Sequence, residues 1–124
     1  MAEAFADPQT ITGYHAHIYY DPAKTRDTAA RLREGLGAAF PNATLGSWHD
    51  EAVGPHTVAM YQVVFAADDF SQVVPWLMLN RGTLDILVHP LAGNAYDDHT
   101  AFAMWLGEKL PLKIDVLKRA TNQR

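Results

Sequence analysis

Apolar and polar residues follow two rhythms along this chain, one with period two and one with period near 3.6. Residues 11–20, ITGYHAHIYY, are rich in aromatic and β-branched side chains and predict a first strand. Asp21-Pro22 closes it, with Asp21 as a plausible N-cap and Pro22 at the first helical position. A first helix then runs to about Phe40. Ala29, Leu32, Leu36, Ala39 and Phe40 fall on one side of it, and Arg26, Arg31, Arg33 and Glu34 on the wet side. Pro41-Asn42 stops it. Residues 44–49 predict a short second strand, 50–55 with Gly54-Pro55 a loop, and 57–65 a third strand. Asp68 or Asp69 caps a second helix to about Asn80, with Pro75 interrupting it or lying in its first turns. Gly82 suits the left-handed position past its end. Residues 84–89 predict a fourth strand, halted by Pro90. After Gly93-Asn94, residues 99–110 predict a third helix with Phe102, Trp105 and Leu106 on one side. Residues 1–10 read as a loose leader and 113–124 as a charged tail.

The order is β-α-β-β-α-β with an extra C-terminal helix. With right-handed crossovers it predicts an α+β fold, the ferredoxin-like split βαβ sandwich. Its antiparallel sheet has order 4-1-3-2, and both helices cover one face. A length of 124 residues suits one domain, 1–124. The longest apolar stretch, near residues 73–79, contains Pro75 and is too short for a bilayer, so no membrane partner is expected. The N-terminus lacks the basic start and apolar run of a signal peptide, and a cytoplasmic location is the default expectation.

Parity along the strands gives the pattern its chemistry. In the first strand Tyr14, Ala16, Ile18 and Tyr20 form the core set, leaving His15, His17 and Tyr19 on the opposite face. In the fourth strand Leu84, Ile86 and Val88 belong to the core, leaving Asp85, Leu87 and His89 facing away. With the first strand between the third and fourth, His15, His17, His89 and Gln62 converge. Histidines at i and i+2 have Cα atoms about 6.5–7 Å apart, and both can reach one ion. An isolated histidine is commonly a surface or hydrogen-bonded core residue. Two on one strand face with a third beside them point instead to a metal.

Composition narrows the choice. Six histidines accompany no cysteine, so thiolate ligation and thiolate catalysis are excluded and any metal must take nitrogen or oxygen donors. A net charge of −4 offers phosphate backbones no basic surface, so nucleic acid is not an expected partner. His49 and His56 flank the loop between the second and third strands, at the other end of the first strand from His89. They are either a second shell or the donors themselves, with His17 between.

The segments YHAHIYYDP (14–22), GPH (54–56), VPWLMLNRG (74–82), LVHPLAG (87–93) and DHTAFAMWLG (98–107) resemble the bacterial and fungal DOPA 4,5-dioxygenases over about residues 13–110. The resemblance implies extradiol cleavage of a catechol with O2 at non-haem Fe(II), opening the 4,5 bond of 3,4-dihydroxyphenylalanine (DOPA) to a seco-DOPA. It puts His15, His17 and His89 forward as iron donors. His56, with His99 behind it, would act as acid and base toward the catechol, with His49 nearby. Arg81 could pair with a substrate carboxylate, and Tyr19 is the aromatic nearest to hand for the substrate. Many extradiol sites use two histidines and one carboxylate. Asp85, Asp50 and Asp98 are the acids to weigh, and a three-histidine set stays open beside them. Zinc would suit the same imidazoles. Two other functions compete: a non-catalytic dimeric small-molecule-binding module, and a zinc-type enzyme on the same site. A homodimer is expected because an apolar sheet face left open would be a liability for a monomer.

Overall fold

Strand β1 (Gly13–Tyr19) stands in the middle of an antiparallel sheet, and everything the protein does is arranged on its two faces. The computed structural model describes residues 4–122, with side chains through Lys118. After β1 come α1 (Arg26–Ala39), β2 (Thr44–Leu45), β3 (Met60–Ala66), α2 (Phe70–Asn80), β4 (Ile86–Pro90), α3 (Ala95–His99), β5 (Met104–Leu106) and α4 (Ile114–Asn122). The sheet order is β2-β3-β1-β4-β5. The four strands expected from the pattern are adjacent in the order 4-1-3-2, and β5 extends the β4 edge. Registers agree with parity: Ala16 pairs with Val63 and Val88, and His15 with Val64 and His89.

The even-numbered residues of β1 and their cross-strand partners build the main core. Ala16, Ile18, Tyr61, Val63 and Ile86 are fully buried against Ala29, Leu32 and Leu36 of α1 and Val73, Val74 and Leu77 of α2. Each large aliphatic side chain so placed contributes about 1.5–3 kcal/mol relative to exposure. Tyr61 also donates its hydroxyl to Ala29 O at 2.8 Å, so the sheet holds α1 by a polar contact as well.

Three expectations are corrected. The first helix begins at Arg26 rather than beside Pro22. Asp21 instead closes a turn, its carboxylate accepting from Ala23 N at 2.9 Å and its carbonyl from Thr25 N at 2.8 Å. Asp21 competes with a helix for its own neighbours' N–H groups, as short polar side chains do. The helix expected over 99–110 is absent: only Ala95–His99 is helical, and Met104–Leu106 pairs with β4, Leu106 opposite Ile86. A short apolar run is ambiguous between the two periods, and here the unpaired edge of β4 takes it as a strand. The residues read as a charged tail form α4, with Leu117 buried. Of the leader, Pro8–Thr10 makes a 3-10 turn capped by Asp7, while residues 1–3 lie outside the described residues.

The face of the sheet away from α1 and α2 is not open. Tyr19, Met60 and Leu87 are buried there, with Trp105, Leu110 and Leu112 packed on them. The chain after β4 returns over this face, and the premise on which a homodimer was expected is therefore not met. Among the described residues no helix is long and apolar enough to cross a membrane.

Candidate metal centre

Four separate segments bring five histidines together on the second face. β1 supplies His15 and His17, and β4 supplies His89, which is directly opposite His15 in register. His56 comes from the loop before β3 and is pinned by a backbone bridge to Leu112. His99 is the last residue of α3. Ring centroids lie 3.9 Å apart for His89 and His99, 4.2 Å for His17 and His56, and 5.1 Å for both His15–His89 and His17–His89. His15, His17 and His89 have donor atoms within 4.8 Å of one another, and so do His17, His56 and His99. His17 belongs to both groups.

No carboxylate joins either group among the described residues. Asp98 is buried and accepts from Ala92 N. Asp85 accepts from Glu108 N at 2.8 Å, and Asp50 is taken by the Tyr20 hydroxyl and Arg26. Both donor groups that the fold assembles among the described residues are therefore made of histidines alone.

Burial and mutual repulsion disfavour the charged form of His15, His17, His56 and His89. Desolvation first, then neighbouring histidines, lowers His89 to about 3 and His56 to about 4. The same causes hold His17 well below the ordinary histidine range and lower His15. An uncharged imidazole has a lone pair to give, so the cluster is poised to ligate at neutral pH. Backbone carbonyls orient two of the rings. His89 donates Nδ1–H to Pro90 O at 2.9 Å and His99 donates Nδ1–H to Ala95 O at 2.8 Å. A carbonyl only accepts, so Nδ1 carries a proton in each, and uncharged His89 has its Nε2 unprotonated, the arrangement metal-binding histidines commonly show.

The residues fit a metal on one further observation. His17 is 2% exposed, its Nε2 lies 3.0 Å from His89 Nε2, and its Nδ1 has no hydrogen-bond partner. Two ring nitrogens turned toward each other at this distance can both meet one ion at about 2.0–2.1 Å.

The remaining candidates are placed less simply. Tyr19 is buried, its hydroxyl 2.7 Å from His56 Nδ1 and its ring stacked on Trp105. His49 pairs its backbone with Met60 and lies outside both donor groups. Arg81 donates to Leu84 O at 2.9 Å, before β4 begins, whereas His89 is near the other end of that strand. The structure does not bring Arg81 to the histidines. What sequence reasoning missed is a cavity of about 380 Å3 lined by His99, Trp105, Lys109, Leu110, Leu112 and Ile114 among others. Gly107 and Pro111, both poor helix residues, were the signal that this segment is a wall rather than a helix.

Similarity to known proteins agrees with this geometry. The family described as Dopa 4,5-dioxygenase matches residues 14–116. A DOPA 4,5-dioxygenase of Amanita muscaria is 33% identical over 84% of this chain, which spans about half (49%) of that protein's length. An uncharacterised 21.2 kDa protein of Botryotinia fuckeliana is 36% identical over 98% of this chain and 74% of its own. The crystal structure of a candidate dioxygenase from Nostoc punctiforme superposes with a TM-score of 0.90 at 52% identity, covering 94% of this chain and 99% of that one. A histidine cluster on the inner strand of this sheet, and a match over most of the chain, lead to one conclusion: the chain belongs to the Dopa 4,5-dioxygenase family.

Proposed function

We propose that the protein is an extradiol dioxygenase that opens a catechol such as DOPA with O2, using Fe(II) held by His15, His17 and His89. The observation that carries this reading is the shared cluster itself: imidazoles from four segments, those of His17, His56 and His89 buried, beside a cavity with largely apolar walls. Bound Fe(II) would supply a Lewis-acidic, redox-active centre that brings a catecholate and O2 together.

The chain's own residues would do the rest. His99 lines the cavity, and Ala95 O fixes its Nδ1–H, so Nε2 is placed to take a catechol hydroxyl proton. His56 does not line the cavity, so this reading places His99 ahead of it as the proton acceptor. Trp105 offers a face for the ring, while Leu110 and Leu112 exclude water. Lys109 is the cation among the described lining residues, and it replaces Arg81 as the group to meet a substrate carboxylate.

The test is anaerobic reconstitution with Fe(II), followed by admission of air with DOPA. Oxygen uptake and a yellow product, both lost on chelation, would support the reading. Iron binding without turnover of DOPA or any of a panel of catechols would leave the metal centre and remove the reaction. Turnover of an ester or amide with zinc and without oxygen would favour a zinc enzyme. No metal binding at all would favour a small-molecule-binding module.

A further inference from the structure

Two donor groups share His17, and they differ in one respect that bears on which of them can ligate. His89 faces a carbonyl through Nδ1, which forces the proton onto Nδ1 and leaves Nε2 able to ligate. His56 faces the Tyr19 hydroxyl through Nδ1 at 2.7 Å. A phenol can donate or accept, so either tautomer of His56 is possible in principle.

Burial decides between them. Tyr19 is 3% exposed, and its hydroxyl has no other hydrogen bond among the described residues. If His56 donated to the phenol oxygen, the phenol's own O–H would be buried without an acceptor, which is the costly arrangement. The phenol therefore donates, Nδ1 accepts, and neutral His56 carries its proton on Nε2. A nitrogen that bears a proton has no lone pair for a metal.

We propose that Tyr19 is a positioning residue: by donating its hydroxyl to His56 Nδ1 it holds His56 as the Nε2–H tautomer, keeps it out of the metal set, and directs the ion to His15, His17 and His89. The proposal rests on the metal-centre reading above and adds a role for the residue that separates the two overlapping groups. His56 then presents an N–H to the site, suited to hydrogen-bonding an anionic oxygen rather than to ligation.

The experiment uses the full chain, labelled with 15N, metal-free and loaded with diamagnetic Zn2+, in long-range 15N–1H spectra of the imidazoles. The expected result is the Nε2–H pattern for His56 in both states, with zinc-induced shifts on His15, His17 and His89. In Tyr19→Phe, His56 should become a mixture of tautomers. His56→Gln should hold Zn2+ within about threefold of the parent, whereas His89→Gln should lose more than about 100-fold. An Nδ1–H pattern for His56 in the parent chain would overturn the proposal. So would an affinity loss in His56→Gln as large as in His89→Gln, which would put the ion in the His17, His56 and His99 group. Should Tyr19→Phe not fold, the parent spectra and the histidine variants decide alone. Absence of catechol cleavage would sink the dioxygenase reading and leave these spectra unaffected, so the two failures are distinguishable.

Discussion

His89 and His56 show what the interior costs an imidazole and what it gains. Their folded values of about 3 and about 4 lie below the ordinary 6.5, so between those limits the unfolded chain binds protons that the folded chain refuses. Stability therefore rises with pH through this window. The metal-free protein should be fully stable above pH 6.5 and lose on the order of a few kcal/mol by pH 4.5. Thermal denaturation with chelator present would record this, and a flat profile from pH 7 to 4.5 would contradict the buried, uncharged cluster. Lys109 carries the second prediction at this scale. Lys109→Met should raise KM for DOPA roughly three- to fivefold, the worth of one exposed ion pair, and leave KM for unsubstituted catechol unchanged. An equal rise for both substrates would mean that Lys109 shapes the cavity and does not read charge.

At the scale of elements, β5 and the loop after it make the site a cavity. β5 is followed by Gly107, whose φ of +86° is open to glycine but strained for other residues. A Cβ there would also fall 2.7 Å from Arg81 Nη1 and against the Asp85 carboxylate. Gly107→Ala should cost about 2 kcal/mol in urea denaturation, since strain and crowding act together. A cost below about 0.5 kcal/mol would mean that the loop relaxes freely. α2 shows the opposite tolerance. It runs through Pro75, which removes the bond to the Ser71 carbonyl, yet both residues are exposed, so water can satisfy that carbonyl.

Across the whole molecule, the sheet works as a partition. α1 and α2 cover the apolar face, and the chain after β4 covers the histidine face. One chain supplies the histidines of both donor groups, and the expectation is a site that works without a second copy. Specific activity per bound iron should then stay constant on dilution from tens of micromolar to tens of nanomolar. A fall on dilution would show that a second copy completes or supports the site. Light scattering beside the dilution series would separate assembly from activity.

The strand pattern by itself determined which face each histidine would take. Parity is local geometry, and one buried face leaves no alternative register, so His15, His17 and His89 were legible before any contact was known. The family was legible too, because its segments survive as short strings in order. His99 and His56 were recognisable as candidates, but not their places in the cluster, since those depend on where a loop and a short helix are carried by the rest of the fold. The contact of the Tyr19 hydroxyl with His56 is a pairing across 37 residues that no periodicity encodes. The expected third helix became β5 because the free edge of β4 supplied backbone partners that a solitary apolar run could not foresee. Local order comes from period and turn chemistry. The cavity and the carbonyl partners of His89 and His99 were decided by tertiary structure, because each depends on where the rest of the chain is carried.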